Sequence, residues 1–582
     1  MRHAPLGIAL IAGALAVAPS HALAGGLTNV STANPKIVGV SPANKLSPEL
    51  AEIERARGGM PLENPQDWAS HFGYNNDCVQ MVALPKAPPT PPQFVPCVPD
   101  GTKVEATKTE PDKNTYLRLH GQTGADPHYD YGNDFVFQGH EVGSRAVPNS
   151  NSSPQRGYIT RVNLDADVDH RVTLMATRDV AGNPLPVFDG STWYPWAQRL
   201  LFTAEGAAVS GCAAPAPCSG GVWQATLDVP STVEDISGVT GRGGYEGIQA
   251  DSDGHLWIVE DSGGAFGATK THARRPNSFI FRLIPTNTRD LKLGGVLQVL
   301  AVKSKAHAGN IVFDPAQSAD DAIGSQDVAD LHTYGHVFQT SWITIHDTAT
   351  DGVAPFDANA LAKAKGGTPF KRPENGVFRP GTHFGEFFFT ETGDTDATTE
   401  AGADHGGFGA LFKISQRHPS DNGGSLTLFY RGDVAHTGLD NIAFSSKDKL
   451  VAVEDAGDTL HTQRNALDSA YLFDVKTDYS QPLNQPVRIL AQGRDASATL
   501  DSQLRTFVAN FQNEGDNEIT GIHVSDGDPS VGGILGAKIP KPFDDGWRIF
   551  YTRQHGDNQL YEIIPSPFAS GAEHAGDNED DD

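Results

Sequence analysis

The chain has 582 residues, of which 38% are hydrophobic and 20% charged, and its formal net charge is −27. This composition suits a large folded protein, and the charge argues against anionic partners such as nucleic acid or an acidic lipid surface. The 62 glycines and 39 prolines predict many turns and few long helices.

The first 24 residues have the features of a Sec-type secretory signal peptide. Arg2 gives a positive start, residues 6–18 are apolar, and small residues at 22–24 offer cleavage after Ala24. A membrane anchor is the alternative, although the apolar run is short for a span. We therefore expect a periplasmic or extracellular protein with no membrane contact after cleavage.

The four cysteines suit an exported protein, because an even number can pair as disulfides. Their spacing does not resemble a zinc site. We expect them to cross-link loops, and they are Cys78, Cys97, Cys212 and Cys218.

A β pattern dominates from Tyr116 onward. We predict a signal peptide at 1–24, an N-terminal extension and linker at 25–115, a β region at 116–567 and an acidic disordered tail at 568–582. Helices are expected at 47–57 and at 358–365, the latter capped by Asp357. The predicted strands are 134–137, 158–162, 171–175, 199–203, 256–259, 279–283, 337–345, 386–390, 410–414, 426–429, 450–453, 470–473, 548–551 and 560–563.

One unit recurs along this β region: an acid opens an apolar strand, a polar turn follows, and a second apolar strand ends in carboxylates. Residues 246–261 and 440–455 are the clearest copies, and 374–391 and 518–555 are longer versions. Many short strands with a recurring motif predict a β-propeller, since a β-sandwich needs fewer strands.

The acid that opens each unit predicts a metal centre. Inner strands of a propeller face a central channel, so these carboxylates would converge and repel one another. Calcium accepts six to eight oxygens in loose geometry and would remove that repulsion. Each acid taken singly is also compatible with a turn or cap. The candidates are Glu205, Glu246, Glu374, Asp440 and Glu518.

Other charged motifs leave alternatives open. Residues 251–254 resemble a tight hairpin turn more than a calcium loop. Carboxylates at 391, 394, 454 and 458 are either further channel ligands or solvated turns. Arg372 lies two residues before Glu374, on the same side of an extended strand, so it is either a ligand for an anion or a surface ion pair. Histidines 140 and 555 stand at strand ends.

Several motifs together resemble the PhoX family of secreted bacterial alkaline phosphatases. They occur in the family's order and cover about residues 116–565. The motifs are Gly-His-Glu-Val at 139–142, Thr-Trp-Tyr-Pro-Trp at 192–196, Thr-Ala-Glu at 203–205, Tyr-Glu-Gly at 245–247, Glu-Asp at 260–261, Lys-Arg-Pro-Glu at 371–374, Leu-Asp-Asn at 439–441, Glu-Ile-Thr-Gly at 518–521 and Gln-His-Gly at 554–556.

This resemblance implies an all-β, six-bladed propeller with long insertions, and a channel cluster of calcium and iron that hydrolyses phosphate esters of small molecules. A monomer is expected. Arg372 becomes the catalytic, phosphate-binding residue, and His555 a further substrate ligand. The metal carboxylates it implies are Glu205, Glu246, Asp261, Glu374 and Asp440.

The chain departs from the family in two places. Asp189 stands roughly where the family has an iron-binding cysteine, so Asp189 is expected to bind metal, calcium is favoured and iron is left open. The family is usually exported through twin-arginine signals, whereas this signal has one arginine. Export of an unfolded chain that captures calcium outside fits a site without iron.

Two other functions remain open on the same scaffold. Calcium-bearing propellers also open lactones, and lactone turnover without phosphate-ester turnover would favour that activity. A calcium-stabilised binding module without catalysis is the third possibility, since a fold does not fix a function.

Overall fold

The structure of the protein is a computed structural model that describes residues 26–33, 43–75, 109–141, 157–206, 219–493, 518–554 and 558–567. Four sequence predictions lie outside these ranges. They are the signal peptide, the four cysteines, His555 and the acidic tail.

β-Strands make up most of the regular structure in the described ranges. In the first half of the chain they are β1 (Lys45–Leu46), β2 (Leu50–Ala56), β3 (Pro61–Gln66), β4 (Ala69–His71), β5 (Tyr74–Asn75), β6 (Glu110–Arg118), β7 (Asp134–Glu141), β8 (Ile159–Asn163), β9 (Val172–Ala176), β10 (Ser191–Tyr194), β11 (Arg199–Ala204), β12 (Gly221–Ala225), β13 (Val233–Asp235), β14 (Tyr245–Ala250), β15 (Leu256–Glu260), β16 (Ile280–Pro285) and β17 (Gly295–Val302). They continue with β18 (Val337–Asp347), β19 (Gly376–Phe378), β20 (Glu386–Glu391), β21 (Ala410–Ser415), β22 (Gly423–Arg431), β23 (Leu439–Phe444), β24 (Lys449–Glu454), β25 (Ser469–Asp474), β26 (Val487–Ala491), β27 (Glu518–Ser525), β28 (Arg548–Gln554) and β29 (Gln559–Pro565).

The helices are short. Asp357 caps the helix Ala358–Lys365 by accepting a hydrogen bond from the backbone N–H of Ala360, as predicted. The other helices were not predicted: four of them have only four to six residues, and Gly457–Arg464 begins without a side-chain cap. The α-helices within the described ranges are α1 (Ser237–Thr240), α2 (Ala319–Ile323), α3 (Gln326–Leu331), α4 (Thr348–Asp351), α5 (Ala358–Lys365) and α6 (Gly457–Arg464).

The strands pair antiparallel in consecutive groups. The strand orders are β6-β7-β8-β9, β10-β11-β12-β13, β1-β26-β25-β24-β23 and β2-β29-β28-β27, with a small sheet β3-β4-β5. A nine-stranded sheet has the order β14-β15-β16-β17-β18-β22-β21-β20-β19. Each predicted strand matches an observed one, and the fold is mostly β.

The predicted helix at 47–57 is wrong, because this segment contains strand β2. Its residues Leu50 to Ala56 pair with β29 across the register Leu50↔Pro565 to Ala56↔Leu560. The cap-like start at Ser47 and the helix-forming residues are overridden by this pairing, which completes the sheet of β27 to β29. Strands from both sides of the predicted boundary at residue 116 therefore share sheets.

Hydrophobic clusters join the groups of strands in a cycle. Tyr116 of β6 and Phe550 of β28, for example, have ring centroids 5.3 Å apart. Clusters join β6–β9 to β10–β13, these to β14–β17, these to β19–β22, these to β23–β26, these to β27–β29, and these back to β6–β9. We call the strand that comes first in the chain within each of these groups its first strand. The first strands contact one another in the same cycle, from β6 through β10, β14, β19, β23 and β27 back to β6.

Candidate metal centre

Three of the first strands, β6, β14 and β23, have a β-bulge that contains an acidic residue. The register with the neighbouring strand shifts at 245–248 in β14, at 439–442 in β23 and at 111–114 in β6. A bulge re-aims side chains away from the strict alternation of a strand. The acids inside these bulges are Glu246, Asp440 and Asp112.

Seven carboxylates form a continuous row. They make up three triads, and within each triad the nearest oxygens lie within 4.8 Å of one another. Asp189 belongs to two triads and Glu246 to two, so the triads are connected. The triads are Asp112, Glu141 and Asp189; Asp189, Glu205 and Glu246; and Glu246, Asp261 and Glu374.

Asp440 lies beside this row. The Nδ2 group of Asn375 donates hydrogen bonds to Glu246 Oε1 at 3.1 Å and to Asp440 Oδ1 at 3.2 Å. We call the seven carboxylates and Asp440 the acid cluster. All six carboxylates predicted as metal ligands lie within it, although Glu518, an opening acid, is in none of the triads formed by the described residues.

Arg372 lies at the Asp261 and Glu374 end of the acid cluster. Its Nε and Nη2 donate to Asp261 Oδ2 at 3.0 and 2.8 Å, and Nη2 donates to Glu374 Oε1 at 3.1 Å. Burial alone would lower the pKa of Arg372, but the charges of Asp261 and Glu374 raise it well above its ordinary value. The side chain is 22% exposed, and within the described residues its Nη1 group makes no hydrogen bond.

The spacing of Arg372 from Glu374 predicted an extended strand, but the backbone of Arg372 is not extended. Its φ of 52° lies in the left-handed region, which costs a non-glycine residue about 1 to 3 kcal/mol. Neighbouring contacts hold this conformation. The Lys371 backbone N–H donates to Glu391 Oε1 at 2.7 Å, and the Arg372 carbonyl accepts from the Thr392 N–H at 2.9 Å.

Three carboxylates of the predicted rim turns, Glu391, Asp394 and Glu454, are neither solvated nor free for a metal, and the side chain of Asp458 lies outside the described part of the structure. Glu391 pairs with His332 at 2.8 Å, and Asp394 pairs with Lys371 Nζ at 2.6 Å; all four side chains are buried. Glu454 is likewise buried and pairs with Arg464 at 3.0 Å. These pairs fix the segments beside the acid cluster.

Two other predicted features are structural. His140 is buried between the Thr109 carbonyl and the Thr160 hydroxyl, and burial lowers the pKa of His140 to about 3, so its ring is neutral. The turn at 251–254 is a hairpin closed by the Gly254 N–H and the Asp251 carbonyl at 3.1 Å.

The sequence did not reveal four members of the site. Asp112, Lys113 and Asn375 were missed, and Glu141 was noted only beside His140. A signal for Asp112 was present, because it precedes the apolar end of β6 as Glu246 and Asp440 precede theirs. The polar residues around Asp112 made this pattern hard to recognise in the sequence.

A lysine lies among the acids. Lys113 is 1% exposed, and its Nζ donates to Asn375 Oδ1 at 2.6 Å. Burial lowers the pKa of Lys113 to about 8, although the charges of Asp440 and Glu246 oppose the shift.

Burial and the charges of neighbouring carboxylates raise the pKa values of several members of the acid cluster. Burial raises the pKa of Asp112 to about 7, and the charge of Asp440 adds to the shift. Burial, followed by the charge of Asp261, raises the pKa of Glu205 to about 8. Burial and neighbouring carboxylates also raise the pKa values of Glu246 and Glu374 well above the ordinary range.

Comparison with known proteins gives one family match. Residues 270–529 match the family described as alkaline phosphatase PhoX. The chain is a PhoX-like protein. That family consists of alkaline phosphatases, so the chain is assigned to the phosphoric ester hydrolases. The matched range includes Arg372, Glu374 and Asp440, whereas the remaining acids precede it.

One solved structure shares the fold over most of the chain, and two others are only weakly similar. Pseudomonas fluorescens PhoX in complex with vanadate, a transition state analogue, is 11% identical with a TM-score of 0.53, covering 93% of this chain and 98% of that one. A Trichoderma reesei carbohydrate-active enzyme of family AA12 is 12% identical with a TM-score of 0.28, covering 90% and 98%. A luciferin-regenerating enzyme is 9% identical with a TM-score of 0.23, covering 66% and 91%. No curated protein sequence matches the chain.

The donor set of the PhoX-like chain fits a hard divalent cation. Asp189 Oδ1 and Glu374 Oε2 are buried and have no hydrogen-bond partner among the residues that the structure describes, which is costly unless something else binds them. Carboxylate oxygens within 4.8 Å of one another could hold such a cation. Among the described residues, no helix is long and apolar enough to cross a membrane.

Proposed function

We propose that the PhoX-like chain is a secreted metal-dependent phosphatase that hydrolyses small phosphate esters at the acid cluster. The observation that carries this proposal is the row of seven carboxylates that ends at a partly exposed arginine. Carboxylates so close together need cations, and an arginine at their edge suits a phosphate.

The fold of this enzyme is, in our proposal, a six-bladed propeller with long insertions. Six hydrophobic clusters that join successive groups of strands in a cycle support it. The cyclic contacts of the first strands also support it, because innermost strands of a propeller line one channel. The acid cluster would then lie in that channel.

Calcium is the proposed metal, held by Asp189, Glu205, Glu246, Asp261, Glu374 and Asp440. When bound, divalent cations supply positive charge that stabilises a phosphoryl group in its transition state. Asn375 would orient Glu246 and Asp440 through its two donated hydrogen bonds. Asp189 offers an oxygen rather than a thiolate, which disfavours iron.

Arg372 is the proposed phosphate ligand. Two of its nitrogens are held by Asp261 and Glu374, which fixes the guanidinium plane before substrate arrives. The Nη1 group remains to donate to a phosphate oxygen. His555, which lies outside the described residues, is proposed as a second substrate ligand.

The function is tested by turnover of p-nitrophenyl phosphate with and without metal. We expect excess chelator to abolish turnover and added calcium to restore it. Glu374→Gln should lose calcium and activity, because the amide removes a charged ligand. Glu234→Gln is the matched control, since Glu234 lies on the outer strand β13 and pairs with the half-exposed Lys292; it should behave as wild type.

Four results would contradict parts of the proposal. Full turnover in excess chelator would exclude a metal-dependent reaction. Turnover of lactones alone would identify a different hydrolase, and calcium binding without turnover of any ester a binding module. Stoichiometric iron by elemental analysis would overturn the role given to Asp189.

Export is the remaining part of the proposal. We expect the mature protein outside the cytoplasm to begin at Gly25, after Sec-dependent cleavage. N-terminal sequencing of protein from the periplasm or medium tests this, and an intact N-terminus in the cytoplasm would contradict it.

A further inference from the structure

The buried ammonium of Lys113 has an anionic environment of its own. The side chain is 1% exposed, and Asn375 Oδ1 accepts one of its three donors at 2.6 Å. The carboxylates whose charges act on it are Asp440, Glu246, Asp112 and Asp189. A lysine is rarely buried so completely unless such charges stabilise it.

These four carboxylates come from four separate parts of the chain. Asp112 lies on β6, Asp189 before β10, Glu246 on β14 and Asp440 on β23. A binding site for a divalent cation has this arrangement, in which carboxylates from several elements surround one positive centre. Here the positive centre is supplied by a side chain.

Arg372 and Lys113 therefore differ in position and in role. Arg372 is 22% exposed and contacts Asp261 and Glu374, as suits a group that meets substrate. Lys113 is buried, and Asn375 joins it to Glu246 and Asp440 through hydrogen bonds. The positively charged side chains of Arg372 and Lys113 therefore interact with different carboxylates of the acid cluster.

We infer that the Lys113 ammonium takes the place of one divalent cation in the acid cluster, so that the chain binds one ion fewer than its carboxylates could hold. The inference rests on the proposed function insofar as the acid cluster is a metal centre. Lys113 acts as a positioning residue, since it contacts Asn375 rather than substrate.

The test is the calcium content of Lys113→Met, which keeps the length of the side chain and removes its charge. After saturation with calcium and desalting, elemental analysis should find one more calcium per chain than in wild type. Lys113→Arg is the matched control, because it keeps the charge and should keep the wild-type count. The calcium-induced rise in melting temperature should also be larger in Lys113→Met than in wild type.

Each outcome has a distinct meaning. If wild type binds calcium and Lys113→Met shows the same calcium count and the same thermal shift, the inference is contradicted but the proposed function is not. A higher KM for p-nitrophenyl phosphate with unchanged metal content would make Lys113 a substrate ligand instead. Wild type without any bound metal contradicts the proposed function itself.

A structure of calcium-loaded wild type decides the matter if Lys113→Met does not fold. Anomalous scattering should show no ion at the position of the Lys113 ammonium, with Lys113 Nζ still bonded to Asn375. An ion at that position, with the lysine displaced, would overturn the inference.

Discussion

Single residues at the edge of the acid cluster are held in conformations that they would not adopt on an open surface. Arg372 has a left-handed backbone, a guanidinium fixed by Asp261 and Glu374, and a flanking Lys371 tied to Glu391 and Asp394. Such conformations persist only where the surroundings impose them, and they occur often at functional sites.

At this scale we predict that Arg372→Ala lowers kcat for p-nitrophenyl phosphate by about ten-fold or more, because it removes charge stabilisation of the transition state. Steady-state kinetics under saturating calcium measure the effect. Arg417→Ala is the control, since the Arg417 side chain is 97% exposed. A wild-type kcat in Arg372→Ala would remove Arg372 from the site.

Strands and their connections set how closely the acids approach. The first strands β14, β23 and β6 bulge where Glu246, Asp440 and Asp112 stand. Close packing depends on glycine at 190, because a Cβ atom built there would lie 1.9 Å from the Glu246 carbonyl oxygen. Residue 190 directly follows Asp189, so this contact links two members of the acid cluster.

We predict that Gly190→Ala displaces β14 from Asp189 and weakens calcium binding, measured by calorimetry, by about ten-fold or more, as disturbed support of metal ligands typically does. Gly59→Ala is the matched control, because nothing lies within 4 Å of a Cβ at residue 59. Equal calcium affinity in the two variants would show that the contact does not position the ligands.

The whole molecule gathers charges that only the folded state brings together. Unfolded carboxyls titrate near pH 4, whereas folding raises the pKa of Asp112 to about 7 and of Glu205 to about 8. Between these values the metal-free folded state binds more protons than the unfolded state. Its stability therefore falls as the pH rises through 7 to 8.

We predict that the melting temperature in chelator is higher at pH 6 than at pH 9, and that calcium reverses this order by binding the ionised carboxylates. Asp112→Asn combined with Glu205→Gln should flatten the dependence in chelator. Asp545→Asn is the control, with a side chain that is 75% exposed. A pH profile identical with and without calcium would contradict the prediction.

Local pattern was enough to predict many of the strands, among them β15, β18 and β24, together with the helix α5 with its Asp357 cap and the acids that open β14 and β23. These features depend on neighbours within a few residues, where alternation and capping are visible. The resemblance to PhoX contributed Asp189, Asp261 and the role of Arg372, which periodicity alone does not supply.

Tertiary contacts decided the rest. Residues 50–56 became a strand because β29 pairs with them, and the carboxylates at 391 and 454 were excluded as ligands because His332 and Arg464 occupy them. Lys113 meets Asn375 across 262 residues of chain. The sequence by itself determined which residues carry charge, and the folded chain determined which charges meet, because electrostatic and hydrogen-bonding partners depend on distance in space.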